Sequence, residues 1–127
     1  DGIIHNHKSN NENYFQLFGD KNKITDCINN NIDPNHYQII DTKNVVKSTD
    51  SPLEAAKRGK DTSMWLAIES VKNKQSDIVI SAGNTGALLV IAKLNLKMIE
   101  NIDKPCIISF MAKQKRNECS LRSWSKY

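Results

Sequence analysis

The sequence has few of the features that mark disulfide-stabilised, metal-binding or membrane-spanning proteins. The chain has three cysteines at wide and irregular spacing: Cys27, Cys106 and Cys119. Their odd number and spacing exclude a disulfide framework and a zinc pattern, so a reducing cytoplasm is the expected setting. His5 and His7 have no third ligand nearby, so we predict neither a metal nor a cofactor. The first residues lack the apolar centre of a signal peptide, and the longest apolar run, 86–92, is far shorter than the roughly 20 residues that span a bilayer.

The net charge of +4 is confined to the end of the chain. Residues 112–127 carry five basic side chains and one acidic side chain, which sum to +4, so residues 1–111 balance to zero. Nucleic-acid binding by counterion release needs a basic face, and the balanced part of the chain offers none. We therefore predict no nucleic-acid partner and interpret the charge as a solvated tail.

Short apolar segments alternate with segments of helical periodicity along the chain. Strands are predicted at 14–18, 37–40, 77–81 and 106–110, and helices at 21–31, from residue 51 to a break at Gly59, and at 61–73 and 84–99. Residues 1–12 read as the remainder of a helix. Alternation of this kind predicts an α/β fold with a mostly parallel sheet covered by helices on both faces.

Two of the predicted helices carry a clear apolar stripe. Ile24, Cys27 and Ile28 form the stripe of the first. Met64, Ile68 and Val71 form the stripe of the helix at 61–73, with Asp61 or Thr62 as the cap that begins it. Trp65 lies beside this second stripe, and we interpret it as a packing residue rather than a platform for a ligand.

The turn at 81–86 carries the strongest chemical signal, because it joins a predicted strand to a predicted helix. The first amides of a helix have no partner within it, and together with the helix dipole they favour a bound phosphate. Gly83 and Gly86 lack side chains that would keep a ligand from the backbone. Asn84 is a candidate cap, and Thr85 offers a hydroxyl. A glycine-containing turn of this kind also serves packing alone, and its spacing matches neither G-x-G-x-x-G nor the Walker loop.

Three segments resemble one family when they are read in order. They are Tyr14–Asp20 (YFQLFGD), Asp50–Met64 (DSPLEAAKRGKDTSM) and Asp77–Leu89 (DIVISAGNTGALL). All three resemble the bacterial phosphate acyltransferases of phospholipid synthesis, the PlsX family. Gly59 departs from the pattern, because the family continues a basic run at that position.

The resemblance implies a fold, a reaction and a set of contacts. The implied fold is a three-layer sheet like that of isopropylmalate dehydrogenase. The implied reaction transfers an acyl group from acyl carrier protein to inorganic phosphate, in a homodimer that is cytoplasmic or peripheral to the inner face of the membrane. The residues matched to substrate contact are Ser81, Gly83, Asn84, Thr85, Gly86, Lys60 and Ser63. Lys60 supplies a point charge and Ser63 a hydroxyl in this interpretation, whereas Lys60 read without the family is an ordinary solvated lysine.

The chain matches only the first part of the family pattern. Family members begin with a strand carrying a Gly-Gly-Asp turn and continue through a half with an Asp-Leu-Gly-Ala-Asn segment, and this sequence has neither. We therefore expect a partial acyltransferase domain at 1–111 and an irregular tail at 112–127, produced by a frameshifted or truncated gene. A partial sheet exposes unpaired edges, so we expect the chain alone to be unstable or inactive.

Two other functions stay open at this point. The first is a noncatalytic remnant or a small phosphate-binding α/β module. The second keeps a related fold with another activity, such as acetyl transfer to phosphate or oxidative decarboxylation by a dehydrogenase. The dinucleotide and carboxylate patterns of such a dehydrogenase are absent from these residues.

Overall fold

The computed structural model describes residues 2–10, 12–102, 105, 107–112 and 119–124, the last two ranges through their backbone. Within these ranges the elements are α1 (Gly2–Ser9), β1 (Phe15–Gly19), α2 (Lys21–Ile28), β2 (Tyr37–Asp41), α3 (Pro52–Lys57), α4 (Ser63–Lys72), α5 (Thr85–Asn95), β3 (Ile107–Ala112) and β4 (Cys119–Trp124). A single 3₁₀ turn, Pro34–His36, precedes β2. None of the helices in these ranges combines the length and the apolar composition needed to cross a bilayer.

Side-chain caps fix where the helices begin. Asp20 accepts from the Asn22 amide at 3.0 Å to start α2. Ser51 caps α3, and Thr62, rather than Asp61, caps α4. Asn84 caps α5. Each cap satisfies an amide that has no acceptor within its helix, which is why these starts were predictable from the sequence.

The chain is an α/β protein, as predicted, and its described strands form one parallel pair and one antiparallel pair. β1 and β2 are parallel, with Phe15 opposite Tyr37 and Gly19 opposite Asp41. β3 and β4 form a separate antiparallel pair in which Ile107 lies opposite Trp124. Six residues separate the two strands in the sequence, and antiparallel neighbours, unlike parallel ones, need no long crossover connection.

The prediction of a buried strand at 77–81 is wrong for this structure. Ile78 and Ile80 are 73% and 88% exposed, and Val79 packs against the core. No described residue pairs with this segment in a sheet. An apolar run becomes a central strand only when neighbouring strands accept its backbone hydrogen bonds and helices cover both faces. Around 77–81 the described residues form no such ladder.

The core lies where α3, α4 and α5 meet. Its buried members come from these three helices and the segment before α3: Val46, Ala55, Met64, Ile68, Ala87 and Ile91. Trp65 packs against this cluster, which confirms its predicted role as a packing residue. Ile68 and Ile91 have no exposed surface, so each contributes the full transfer free energy of an isoleucine side chain, roughly 1.5–3 kcal/mol.

Three predicted element boundaries or faces differ from the structure. α5 ends at Asn95, four residues before the predicted end at residue 99. Cys27, predicted in the apolar stripe of α2, is exposed, and only Ile28 of that helix is buried. The tail predicted to be irregular contains β4, because Cys119–Trp124 find backbone partners in β3. Residues 113–118 and 125–127 lie outside the described residues, so the frameshift and the division at residue 112 stay predictions.

The contrast between Ile68 and Ile80 predicts a stability difference. Ile68→Val removes a methylene from a closed site and should lower the free energy of unfolding by about 0.5–1.5 kcal/mol. Ile80→Val removes the same group from an exposed side chain and should change it by less than about 0.5 kcal/mol. Urea unfolding followed by circular dichroism measures both, and equal losses in the two variants would contradict this position of the core.

Candidate functional site

The 81–86 turn lies against the beginnings of two helices. A Cβ on Gly86 would lie 2.8 Å from Cγ of Pro52, the first residue of α3. A Cβ on Gly83 would lie 3.2 Å from Cε of Met64 in α4. Gly86 therefore occupies a position where α3 approaches too closely for a larger residue, whereas at Gly83 the flexible end of Met64 would have to shift by a few tenths of an ångström. The structure gives Gly86 and Gly83 a packing role, whatever else they contact.

Asn84 joins the start of α5 to the loop before α3. Its Oδ1 accepts from the Ala87 amide at 3.0 Å, which closes the first turn of α5. Its Nδ2 donates to the Asp50 carbonyl at 2.9 Å and lies 3.3 Å and 3.4 Å from the carbonyls of Lys47 and Ser48. The side-chain amide thus uses its acceptor and its donors at once, so Asn84 is a structural clasp that holds the turn in place.

Asp50 organises the other side of this clasp. Its carboxylate accepts from the Lys47 amide at 2.8 Å and from Nη1 of Arg58 at 2.8 Å. The Asp50 side chain is only 7% exposed, whereas that of Arg58 is half exposed. The loop at 47–50, the end of α3 and the start of α5 are therefore tied together through the carboxylate and the carbonyl of one residue.

Two amides and two hydroxyls of the turn are open to a ligand. Among the described residues, no acceptor is hydrogen-bonded to the amides of Thr85 and Gly86, the first two of α5. The Thr85 side chain is exposed, and so is Ser81, whose Oγ accepts from the Gly83 amide at 3.2 Å. Free amides at the positive end of an eleven-residue helix are the groups that bind an anion.

The structure does not join Lys60 and Ser63 to the turn by hydrogen bonds among the described residues. Lys60 is exposed in the short connection between α3 and α4. Ser63 is half-buried as the first residue of α4, and its amide donates to the Asn44 carbonyl at 3.0 Å. Ser63 precedes Met64, the residue that contacts the turn. Their assignment to substrate contact stays a prediction.

Asp50 and Arg58 were missed as functional positions, although both lie in the segment that carries the resemblance. Their ion pair spans eight residues and crosses the whole of α3. Side chains that meet on one face of a helix are three or four residues apart, so this spacing rule does not predict a pair that is eight residues apart. The only local signal was the Asp-Ser-Pro sequence, in which Ser51 caps the helix and leaves the Asp50 side chain facing back toward the loop.

The close approach of Gly86 to Pro52 predicts that Gly86→Ala destabilises the chain. Alanine favours a helix over glycine, but overpacking against a rigid proline ring outweighs this gain, and we expect a net loss of about 1 kcal/mol. Gly2→Ala is the matched control, because nothing lies within 4 Å of a Cβ at that position. Thermal unfolding should show a lower midpoint for Gly86→Ala alone. An unchanged midpoint would mean that α3 and α5 are not in contact here.

Two substitutions at Asn84 separate its cap from its clasp. Asn84→Asp keeps an oxygen for the Ala87 amide but loses the donor to the Asp50 carbonyl, whereas Asn84→Ala loses both. We expect Asn84→Ala to lower the free energy of unfolding by about 1–2 kcal/mol. Asn84→Asp should also be less stable than the wild type, because a carboxylate would face backbone carbonyls. A fully stable Asn84→Asp variant, measured by urea unfolding, would show that the clasp contributes nothing.

Known proteins similar to this chain were found through a family model and through curated sequences. The model described as "Fatty acid synthesis protein" matches residues 1–121, which includes part of the predicted tail.

Three similar curated proteins are each named phosphate acyltransferase. The protein of Pelagibacter ubique is 64% identical over 115 residues, which cover 91% of this chain and 34% of that protein. The protein of a Bradyrhizobium species is 42% identical over 95 residues, or 73% of this chain and 27% of its own length. The protein of Neorickettsia sennetsu is 38% identical over 105 residues, or 80% and 30%.

These matches cover most of this chain and a minor part of each relative. The chain spans about a third of the length of the curated relatives it matches. The family match includes all three segments on which the resemblance was based, in the same order, so the family inferred from the motifs is confirmed. The chain belongs to the fatty acid synthesis protein family that includes the bacterial phosphate acyltransferases.

Proposed function

We propose that this chain is the phosphate-binding part of an enzyme that transfers an acyl group from acyl carrier protein to inorganic phosphate, for phospholipid synthesis. The observation that carries the proposal is the pair of open amides at Thr85 and Gly86, held at the start of α5 by the Asn84 clasp. The name shared by the relatives supplies the reaction type.

The proposed chemistry needs few groups from the protein. A phosphate oxygen attacks the carbonyl carbon of the acyl thioester, a C–O bond forms, and the C–S bond breaks as the thiolate leaves and takes up a proton. Holding phosphate in a fixed position lowers the entropic part of this barrier, and amide donors stabilise the developing negative charge. In this proposal the turn supplies the amides of Thr85 and Gly86 and the hydroxyls of Ser81 and Thr85.

The same proposal extends to the fold, the assembly and the location of the intact protein. The parallel pair of β1 and β2, with helices beside it, is compatible with a larger three-layer sheet of the isopropylmalate dehydrogenase type. We propose that the intact protein completes this sheet, forms a homodimer, and works in the cytoplasm or at the inner face of the membrane. A noncatalytic phosphate-binding module remains the second candidate, and it predicts binding without turnover.

Phosphate binding at α5 has an internal control in α2. Sodium phosphate added to the ¹⁵N-labelled chain at constant ionic strength should shift the amide resonances of Thr85 and Gly86. The amides of Asn22 and Lys23 should not respond, because the Asp20 carboxylate already accepts from both and repels an anion. Thr85→Val, which keeps the shape but loses the hydroxyl, should weaken binding several-fold. Equal shifts at α2 and α5 would contradict a site at the turn.

A chimera tests the activity. We expect a Pelagibacter protein, whose matched 115 residues are replaced by the corresponding residues of this chain, to form acyl phosphate from acyl carrier protein and phosphate. Thr85→Val in the chimera should lower kcat/KM about tenfold, and Lys97→Gln should leave it unchanged. This chain alone should form no detectable acyl phosphate. Phosphate binding by an inactive chimera would favour the noncatalytic module.

A further inference from the structure

A basic groove includes Lys47, whose carbonyl bonds the side chain of Asn84. It is an open cavity of about 400 Å³ formed by the loop after β2 and by the connection from α3 to α4. The polar residues that line it are Lys43, Asn44, Lys47, Arg58, Asp61 and Thr62. None of them was assigned to a ligand by the sequence motifs, and none belongs to the 81–86 turn. The groove is therefore a separate candidate site.

The groove has an excess of positive charge that the described residues do not neutralise. Arg58 is paired with Asp50, and the Asp61 carboxylate accepts from the uncharged Nδ2 of Asn44 and keeps its negative charge. With the Arg58–Asp50 pair neutral, Lys43, Lys47 and Asp61 give the lining one net positive charge. In the part of the chain that the structure describes, the carboxylates paired with basic groups are Asp20 and Asp50, and neither is paired with Lys43 or Lys47. Lys43 and Lys47 thus line one cavity, and neither has an acidic partner at 4.0 Å or less among the described residues.

The backbone beneath these lysines is held in place without a ligand. The Ser63 amide donates to the Asn44 carbonyl at 3.0 Å, and Asn44 and Thr62 form an isolated parallel β-bridge. The Asn44 side chain then bonds Asp61 on the same side. The segment that carries Lys43 is therefore anchored to the start of α4. A preorganised wall reduces the ordering cost that a ligand must offset on binding.

We propose that this groove binds a phosphate group through Lys43 and Lys47. Lys43 and Lys47 supply two positive charges for a phosphate, of which the Asp61 carboxylate offsets one, and lysine binds phosphate as a point charge without a required approach angle. The volume lies within the range of small-molecule sites, so the groove has room for a phosphate carried on an organic molecule as well as for free orthophosphate. The proposal rests on the proposed function only for the choice of phosphate over other anions.

The groove and the turn share one wall. The Lys47 carbonyl lies 3.3 Å from Nδ2 of Asn84, and the Lys47 amide donates to Asp50. The backbone that carries the Lys47 side chain into the groove therefore also positions the start of α5.

The test compares two double variants with the same change in charge. Lys43→Gln/Lys47→Gln removes the two groove ammonium groups, and Lys93→Gln/Lys97→Gln removes two exposed lysines outside the groove lining. The affinities of the full 127-residue chain for orthophosphate and for glycerol 3-phosphate are measured by NMR titration at constant ionic strength. We expect the groove variant to bind at least one probe about tenfold more weakly, and the control variant to stay within about twofold of the wild type.

The two probes identify the source of the phosphate. A loss confined to glycerol 3-phosphate indicates a phosphate ester, and a loss of orthophosphate binding indicates the free ion. Wild-type affinity of the groove variant for both probes, or an equal loss in the control variant, would overturn the proposal. The amide shifts of Thr85 and Gly86 report the turn separately, so a failed groove and a failed phosphate-binding turn give different spectra.

Discussion

The side-chain amide of Asn84 is the contact on which the arrangement of this molecule depends. It faces two ways, with an acceptor toward the first turn of α5 and donors toward the carbonyls of the loop before α3. Without it, the start of α5 would lack both its cap and its attachment to Asp50. The position of the turn, the contact of Gly86 with Pro52 and the wall of the basic groove all follow from this attachment. Since Asn84 is half-buried, the amide donor and the carbonyl acceptors that its side chain satisfies are partly shielded from water, which raises the cost of losing these hydrogen bonds.

Packing and ligand binding make compatible demands on the 81–86 turn. Gly86 is small because α3 approaches its Cα, and this approach uses the face toward Pro52. The amide of the same residue has no acceptor among the described residues and remains available at the helix end. A glycine in such a turn therefore does not have to be assigned either to the core or to a ligand, because its two sides meet different partners. The two interpretations that spacing alone left open describe different atoms of one residue.

The sequence was informative where the determining contacts are local. The caps of α4 and α5 are made by residues within three positions of the amides they satisfy, so pattern and residue type were sufficient to predict them. The segment at 77–81 was mispredicted because strand pairing depends on residues far away in the chain, and an apolar run carries no record of whether they are present. The groove was missed for the same reason. Lys43 and Lys47 come from the loop after β2 and Arg58 from the end of α3, and only the fold brings them together.

The exposed segment around Ile78 and Ile80 has a consequence for the aggregation of this polypeptide at high concentration. Its side chains are exposed, and among the described residues no strand occupies its backbone edge. An open apolar edge of this kind is a template for another extended chain. Pairing of this kind between two copies of the chain increases with the concentration of the polypeptide.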